Sequence, residues 1–454
     1  MCMLSAYFMS RKEYFEYLES GISKNSINIA VIGLGYVGLP TALAFHSQGF
    51  KVLGIDNSED VISCLNSGFS HLSNEYNLQI PSDARWSISK SYKCIQECDI
   101  VIICVPTPVN SAYEPDLSMV HSAFKEVSNN TSDSKNLTII LESTVQPGTT
   151  NNCFEMFFGN KTNSSLFNVA YCPERISPGD PLYGGHNMDR IIGSNNNSLT
   201  EILAKLYKTV NNSEIHPVKS IEVAEAAKLV ENTQRDIDIA FVNELAILMP
   251  KLGVDVEDVL DAASTKWNFH RHTPGIGVGG HCIPIDPHYY IEIAKKHNVI
   301  SNLSPNARRL NESMPEYTST EILKICDGKS NSRILIFGYS YKPNIGDVRE
   351  TPIAPLITNL SKNGAKIFVW DPYVNELSGM DDAVLITDPY KLNNIDCVVI
   401  GTAHNCVLSL DWKLLKKIMN EPKLYDGRRG LNANEMSNYG WKYYAIGRPN
   451  EVIN

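Results

Sequence analysis

The sequence predicts an α/β protein with two doubly wound, parallel-sheet domains joined by a long central helix. Apolar runs that end in polar or glycine-containing text alternate with helical patterns from residue 27, and the same alternation returns from residue 333. Residues 220–253 between the two series have one long helical periodicity. A chain of 454 residues is long enough for two or three domains.

Composition excludes several classes of protein. The formal net charge is -10 without a basic stripe, which argues against a nucleic-acid partner. Eleven cysteines without paired spacing favour reduced thiols over a disulfide framework, and no metal site is predicted. The first apolar run is broken by Arg11, Lys12 and Glu13, so neither a signal peptide nor a membrane span is expected. The expected compartment is therefore cytoplasmic.

The first strand and helix carry a dinucleotide-binding fingerprint. Gly33, Gly35 and Gly38 form GxGxxG directly after the strand pattern INIAVI, and a second strand ends at Asp56. In this Rossmann-like context the glycines permit a tight turn, the approach of a pyrophosphate, and close packing of helix on strand. Asp56 would bind the adenosine ribose hydroxyls and repel a 2'-phosphate, which favours NAD. Residues before Ile27 predict a short helix that could be a simple surface appendage.

Polar residues follow the later strands of the first series. Thr107, Thr144 and Glu174 come after the runs DIVIICV, LTIILE and FNVAYC. Ligands of an open parallel sheet lie beyond the carboxyl ends of its strands, so these residues are expected where cofactor and substrate meet. Each could equally be an ordinary loop residue.

The long helical stretch has two kinds of face. Its predicted apolar face consists of Val223, Ala226, Ala227 and Val230. Lys228, Asn232 and Arg235 share another face. A helix with so much apolar surface is expected to be largely buried, and a buried lysine needs a partner or a function.

The stretch GVGGHCIPIDP, residues 277–287, places Cys282 after a glycine-rich approach where a ligand could reach its thiol. The simpler interpretation is that Cys282 is a small buried residue and that Asp286 caps a helix whose first residue is Pro287. The second α/β series lacks GxGxxG, which favours a different phosphate-bearing ligand. Lys342, Arg349 and Arg428 are its available cations, although each could be a surface charge.

Nine motifs occur in an order that resembles the UDP-glucose/GDP-mannose dehydrogenase family. They are IAVIGLGYVGLP, CVPTP, ESTVQPGTT, CPERISPGD, VAEAAKLVENTQRD, STKWNF, GVGGHCIPIDP, YKPNIGDVRETP and YDGRR. PERISPG and GGHCIPIDP look like the UDP-N-acetylhexosamine 6-dehydrogenase branch. The resemblance implies a four-electron oxidation of the sugar C6 alcohol to a carboxylate with two NAD in turn. UDP-GlcNAc is the expected substrate, with UDP-GalNAc or UDP-ManNAc as alternatives, in the synthesis of a surface-polysaccharide precursor.

The resemblance also assigns roles to residues. It makes Cys282 the nucleophile that forms a thiohemiacetal and then a thioester, with Lys228 and Asn232 stabilising the oxyanion. Asp286 and Thr144 would position or activate water, and Glu174 would act in thioester hydrolysis. The implied substrate contacts are Glu174, Lys228, Asn232, Lys342, Arg428 and Arg271, the last reaching a neighbouring subunit. The implied cofactor contacts beyond the fingerprint are Thr107, Thr144 and Arg349.

The expected domains are an N-terminal appendage (1–26), an NAD-binding domain (27–218), a central helical and dimerisation region (219–310) and a UDP-sugar-binding domain (311–454). A homodimer through the central helix is implied by the resemblance. The sequence departs from the UDP-glucose branch at Ile285 and Pro178, as the N-acetylhexosamine branch does. Val61 stands five positions after Asp56, where members of the family often have a basic residue, so one contact to the adenosine side of the cofactor is in doubt.

Two rival functions remain open at this point. A two-electron hydroxyacid dehydrogenase would need Lys228 and Asn232 but not Cys282. A non-catalytic regulator would bind NAD or a nucleotide sugar without forming NADH.

Overall fold

The computed structural model describes residues 9–72, 78–175, 187–377 and 379–449. Pro178 and most of the PERISPG motif lie outside the described residues, as do the first eight residues of the predicted appendage. The chain forms two compact units, Met1–Glu231 and Asn232–Asn454.

The first unit is an α/β domain. Its described helices are α1 (Arg11–Ser23), α2 (Gly38–Ser47), α3 (Glu59–Asn66), α4 (Ser118–Asn129), α5 (Thr149–Phe158) and α6 (Asn197–Val210). Its described strands are β1 (Asn28–Ile32), β2 (Lys51–Ile55), β3 (Trp86–Ser89), β4 (Ile100–Ile103), β5 (Leu137–Leu141), β6 (Phe167–Tyr171), β7 (Arg190–Ser194) and β8 (Ile215–Pro217). Within the described residues the sheet order is β3-β2-β1-β4-β5-β6-β7-β8. The order reverses between β1 and β4, so the predicted doubly wound sheet is confirmed.

One pair in this sheet is not parallel. Strands β6 and β7 run antiparallel, with Ala170 opposite Ser194 and Tyr171 opposite Gly193. The other neighbouring strands of the first sheet pair in parallel. Strand β7 therefore begins at the edge at which the parallel strands end and runs away from it.

The second unit repeats the architecture. Its described helices are α8 (Val256–Ser264), α9 (Asp286–Lys296), α10 (Leu303–Ile325), α11 (Ile353–Lys362), α12 (Asn405–Leu408), α13 (Trp412–Leu415) and α14 (Ala433–Asn438). Its described strands are β9 (Arg333–Phe337), β10 (Lys366–Trp370), β11 (Ala383–Leu385), β12 (Cys397–Ile400), β13 (Lys423–Asp426) and β14 (Lys442–Ala445). They pair in parallel in the order β11-β10-β9-β12-β13-β14. A further helix, α7 (Ile221–Leu248), begins in the first unit and continues into the second, as predicted.

Both sheets are buried on two faces. Ile29 and Val31 pack into one apolar cluster of the first unit, and Ala30 and Ile32 pack into the other. Alternating side chains of a strand point to opposite faces, so a continuous apolar run is what a sheet covered on both sides requires. Among the described helices, none combines the length and apolar character that crossing a membrane requires.

Helix α1 is more than a surface appendage. Ser10 and Glu13 form a capping box at its start, and Tyr14 and Leu18 are fully buried in the same cluster as Ile29. The Tyr14 hydroxyl donates a hydrogen bond of 2.8 Å to the carbonyl of Asp99. The expectation of a peripheral helix was therefore wrong, because its tyrosine and leucine pack within the apolar core of the first unit.

The predicted apolar face of α7 is exposed, so the expectation that it is buried was wrong. Val223 and Val230 are 45% and 53% exposed, whereas Glu225 and Lys228 are buried. The buried face of this part of the helix carries apolar side chains such as Leu229 together with these two polar ones, which bind neighbouring loops, and the valines lie on the opposite face.

Candidate active site

The glycine turn after β1 has the geometry that the fingerprint predicts. Gly33 has a φ of 85°, and a Cβ on it would lie 2.9 Å from the Cys104 carbonyl oxygen. A Cβ on Gly38 would lie 1.8 Å from the Gly33 carbonyl oxygen, so helix and turn are in direct contact. A Cβ on Gly35 would meet no described atom within 4 Å. This open space at the start of α2 fits the pyrophosphate of NAD, which a helix N-terminus stabilises.

Asp56 lies beside the same turn. Its carboxylate accepts hydrogen bonds from the backbone N–H of Leu34 at 2.8 Å and of Ser58 at 2.9 Å. The two bonds fall on different oxygens, and each oxygen has a second lone pair for a ribose hydroxyl. Val61, which stands where a basic residue was expected, packs partly buried against the apolar core.

The loops after β4 and β5 carry Thr107 and Thr144, both half-buried. The Ser143 hydroxyl donates to the Val105 carbonyl at 2.7 Å, which ties the two loops together. Both threonines therefore lie at the predicted edge of the sheet.

Glu225 of α7 fixes the far end of the loop that contains Thr144. Its carboxylate accepts from the backbone N–H of Gly148 at 2.6 Å, and from the N–H and hydroxyl of Thr150 at 2.9 and 2.6 Å. It thus caps the N-terminus of α5 from another element. Burial outweighs these donors and raises the pKa of Glu225 to about 7.

Lys228 and Glu174 come together in the first unit. The Lys228 side chain is 7% exposed, and its Nζ donates to the Glu174 carbonyl oxygen at 2.8 Å. The Glu174 carboxylate accepts from the Arg175 backbone N–H at 2.6 Å, and Arg190 Nη1 lies 3.0 Å from its Oε2. The buried lysine thus has the partner that its burial demands.

In the second unit, Cys282, Asn232 and Asp286 are neighbours. Cys282 is half-buried, and its carbonyl accepts from the Asp286 backbone N–H at 2.8 Å. Asn232 Nδ2 donates to Asp286 Oδ2 at 2.5 Å. Ile285 is the N-cap of α9, so Asp286 is the first helical residue. The predicted cap role of Asp286 was wrong, because its side chain is directed to Asn232 instead.

The glycine approach to Cys282 packs against the loop after β9. A Cβ on Gly279 would lie 2.6 Å from the Cβ of Tyr341, and the Gly280 N–H donates to the Arg349 carbonyl at 3.0 Å. The Arg349 guanidinium forms three ion-pair hydrogen bonds with Asp347, from Nε at 2.9 and 3.1 Å and from Nη2 at 2.5 Å. The glycines are needed because two backbone segments meet there.

Arg428 follows β13 and lies against the same glycine segment. Its Nε donates to the Gly401 carbonyl at 2.7 Å, and a Cβ on Gly275 would lie 2.9 Å from its Nη1. Nη2 is buried and has no hydrogen-bond partner among the described residues. Loss of water lowers the pKa of Arg428 to about 10, with Asp426 opposing the shift. A buried donor without a partner at a strand end is suited to an anionic ligand.

The remaining predicted cations differ in their surroundings. Lys342 is half-buried in the loop after β9, where its carbonyl accepts from the Ser340 hydroxyl at 3.1 Å. Arg271 Nη2 contacts Glu257 at 2.5 Å and Asp261 at 2.8 Å, both on α8. Arg271 is thus held within its own chain by two carboxylates.

The second sheet has an aspartate where the first has Asp56, but its surroundings differ. Asp371 follows β10 and is 4% exposed. It accepts from the backbone N–H groups of Tyr339, Ser340 and Tyr373 at 2.7, 3.0 and 2.9 Å, and His404 Nε2 lies 3.0 Å away. Three of these partners share Oδ2, and Tyr373 occupies one lone pair of Oδ1, so this carboxylate is more fully engaged than that of Asp56. The second unit therefore does not repeat the dinucleotide site.

Three consecutive segments of the chain match one family of enzymes. Residues 27–211 match the NAD binding domain of the UDP-glucose/GDP-mannose dehydrogenase family, residues 222–313 its central domain and residues 335–433 its UDP binding domain. The chain belongs to the UDP-glucose/GDP-mannose dehydrogenase family. It is an NAD-dependent oxidoreductase of the nucleotide-sugar dehydrogenase class, and the resemblance inferred from the nine motifs is confirmed.

Curated and structural relatives of this dehydrogenase carry several substrate names. UDP-N-acetyl-D-glucosamine 6-dehydrogenase of Salmonella typhi is 34% identical over 393 residues, which covers 84% of this chain and 90% of that protein. The structure of UDP-D-ManNAc dehydrogenase from Pyrococcus horikoshii has a TM-score of 0.79 at 30% identity, covering 94% of this chain and 100% of that one. A UDP-glucose dehydrogenase from Pyrobaculum islandicum has a TM-score of 0.81 at 26% identity, covering 93% and 98%.

Sequence reasoning missed several residues that organise this dehydrogenase's site. They are Glu142, Arg190, Glu225 and Asp347. Glu142 stands directly at the end of β5 and could have been flagged by its position. Arg190 gave no signal, because its neighbour Glu174 is distant in sequence and only the antiparallel pairing of β6 and β7 joins them.

Proposed function

We propose that this enzyme oxidises the C6 alcohol of a UDP-N-acetylhexosamine, with UDP-GlcNAc as the first candidate, to the uronic acid. The arrangement of Cys282, Asn232 and Asp286 carries the proposal, because a half-buried thiol one helical turn before an amide–carboxylate pair can act as the nucleophile of a covalent route to a carboxylic acid. Relatives named for N-acetylglucosamine and N-acetylmannosamine support an N-acetylhexosamine. UDP-ManNAc and UDP-GalNAc are therefore the alternative substrates.

The proposed chemistry proceeds in two oxidations. NAD supplies the hydride acceptor for both. After the alcohol has lost its first hydride, Cys282 Sγ adds to the aldehyde carbon to give a thiohemiacetal. Loss of the second hydride leaves a thioester, water adds to its carbon, and the Cys282 thiolate leaves as the carboxylate forms.

The remaining residues have supporting roles in the proposal. Lys228 and Asn232, one turn apart on α7, donate to the oxygen on which negative charge develops. Glu174 accepts the proton of the attacking water, and Thr144 and Asp286 position that water. Arg428, whose Nη2 faces no described partner, binds the UDP portion together with Lys342. Arg349 contacts the cofactor, and Arg271 exchanges its Glu257 and Asp261 partners to reach a neighbouring subunit.

Replacing Cys282 with alanine tests the covalent route. With NAD and a panel of UDP-sugars, the enzyme should form two NADH per uronate, and Cys282→Ala should form no uronate. Cys406→Ala removes another half-buried thiol of the same unit and should retain both products. Full uronate production by Cys282→Ala would disprove the mechanism. Sustained oxidation with one NADH per product would favour a two-electron hydroxyacid dehydrogenase. Binding of both ligands without NADH formation would favour a non-catalytic regulator.

We also propose that two copies of the chain pair through α7. Val223, Val230, Phe241 and Leu248 are 45%, 53%, 54% and 46% exposed. At 100° per residue these four positions fall within about 20° of each other around the helix. An exposed apolar stripe, interrupted by Gln234, marks an interaction surface, and a second copy offers the matching stripe.

The oligomeric state tests this pairing. Light scattering should give twice the mass of one chain for the wild type and one mass for Val230→Asp. Lys251→Asp changes charge at an exposed position beyond this helix and should leave the dimer intact. A monomeric wild type at micromolar concentration would exclude the pairing.

A further inference from the structure

A single arginine lies between two carboxylates in the interior of the first unit. Arg190 is 3% exposed, with Nη2 3.2 Å from Glu142 Oε2 and Nη1 3.0 Å from Glu174 Oε2. The fold creates this cluster. Extending the antiparallel register of Tyr171 with Gly193 by three residues places Glu174 opposite Arg190, and Glu142 directly follows the neighbouring strand β5.

The groups around Glu142 are hydrogen-bond donors. Tyr207 donates its hydroxyl to Oε1 at 2.6 Å, and the Cys104 thiol lies 3.8 Å from Oε2. Burial raises the pKa of Glu142, and the Arg190 charge opposes that rise. The Tyr207 donor and the Arg190 charge both favour the ionised form of Glu142, in which it balances the arginine.

Arg190 has further contacts through one of its terminal nitrogens and the face of its guanidinium, whereas its Nε is buried without a hydrogen-bond partner among the described residues. It donates to the Cys172 carbonyl at 3.0 Å, and its guanidinium carbon lies 4.7 Å from the ring centroid of Tyr207. The cluster thus has one cation and two carboxylates. When ionised Glu142 balances the arginine charge, Arg190 can orient Glu174 although Glu174 is not its only counter-ion.

We propose that Glu142 and Arg190 are positioning residues for Glu174. Arg190 fixes the direction of the Glu174 carboxylate, and Glu142 cancels the arginine charge so that Glu174 remains able to accept a proton from water. The proposal rests on the proposed role of Glu174 in thioester hydrolysis. Neither Glu142 nor Arg190 needs to touch the substrate.

The test uses two substitutions that change, in opposite directions, the net charge surrounding the Glu174 carboxylate. In Glu142→Gln the full arginine charge acts on Glu174, so the acidic limb of the hydrolysis pH profile moves to lower pH. In Arg190→Gln two carboxylates face each other without a cation, so the limb moves to higher pH. Each shift is expected to be about one pH unit or more, a tenfold change in proton concentration.

Hydrolysis is followed directly on the full-length enzyme. NAD and UDP-GlcNAc, or the panel sugar that turns over, are mixed with enzyme, and acid-quenched samples are analysed by intact mass spectrometry between pH 5 and 9. The decay of the covalently modified chain gives the hydrolysis rate. The proposal would be overturned if the acidic limbs of the two variants did not move or moved in the same direction. Damage to packing alone would not shift the limb to lower pH in one variant and to higher pH in the other.

Further variants separate the possible failures. Arg190→Lys retains the charge, so its limb should stay near that of the wild type although the rate falls. If Glu142→Gln or Arg190→Gln lacks the wild-type circular dichroism spectrum, Tyr207→Phe is used in its place. This variant removes one hydrogen-bond donor from Glu142 and so makes its ionised form less stable. More of the arginine charge then acts on Glu174, and the limb should shift slightly to lower pH. An unshifted limb in Tyr207→Phe would then count against the proposal.

Glu174→Gln tests the underlying assignment. If it hydrolyses the thioester at the wild-type rate, the proposed function of Glu174 fails. If it accumulates the covalent adduct while the limbs of the Glu142 and Arg190 variants stay in place, only the inference about the positioning residues fails.

Discussion

Glu225 should make the first unit less stable as pH rises, and glutamine at this position should remove that dependence. The folded pKa is about 7 because of burial, against an ordinary value of 4.5. A raised pKa means that the folded state binds the proton more tightly. Its stabilising contribution is complete below pH 4.5 and is lost as pH rises through 7. Between pH 5 and pH 8 the linkage relation gives a loss of roughly 2.5 kcal/mol.

Hydrogen exchange is suited to measure this effect, because Glu225 accepts from the backbone N–H groups of Gly148 and Thr150. We expect peptides that cover residues 145–155 to lose protection between pH 5 and pH 8, after correction for intrinsic exchange. In Glu225→Gln the amide nitrogen must face one of the two N–H groups, costing about 1 to 3 kcal/mol at all pH values. Protection in that variant should therefore be lower at pH 5 and nearly independent of pH.

Glu222→Gln is the matched control, since Glu222 lies on the same helix and accepts from Asn151 Nδ2 at 2.5 Å. Hydrogen bonding to Ser220 lowers the pKa of Glu222, so this variant should keep the wild-type loss between pH 5 and pH 8. The reasoning would be refuted if Glu225→Gln retained the same pH-dependent loss as the wild type.

Two further predictions concern the glycine turn and the loop after β9. Gly38→Ala should lower both the melting temperature and the NAD affinity, because its Cβ would lie 1.8 Å from the Gly33 carbonyl oxygen. Gly35→Ala should weaken only NAD binding, measured by calorimetry, because no described atom lies within 4 Å of its Cβ. Equal melting temperatures for the two variants would contradict this. Asp347→Asn should raise KM for NAD more than it lowers kcat, because it releases the Arg349 guanidinium; an unchanged KM would show that Arg349 does not contact the cofactor.

Most interior strands could be predicted from the sequence, whereas the edge strands could not; the interior strand β7 was missed as well, although it is buried throughout. β1, β4 and β5 are buried on both faces and appear as continuous apolar runs. Of the strands that were missed, β3, β8, β11 and β14 lie at the edges of the two sheets. β3 has no fully buried residue and β11 has none either, so neither shows an apolar run.

The candidate site shows the same division between local and distant signals. Gly33, Gly38 and Asp56 could be placed because the fingerprint is local in sequence and its physics is specific. The cluster of Glu142, Arg190 and Glu174 depends on strand pairing and therefore has no linear pattern. The unexpected exposure of the apolar face of α7 has a related cause: periodicity identifies an apolar stripe but does not tell whether the stripe faces the core or another surface. The roles of the site residues and the four predicted domain bounds stay predictions.

Helix α1 has a practical consequence for work with this enzyme. The recognisable NAD binding domain begins at residue 27, but the folded core begins earlier, with Tyr14 and Leu18. A shortened chain starting at residue 27 would expose the apolar footprint of this helix and leave the Asp99 carbonyl without its tyrosine donor. Such a protein should aggregate on expression although it retains every motif of its family. The limits of sequence similarity are thus narrower than the limits of what must fold together.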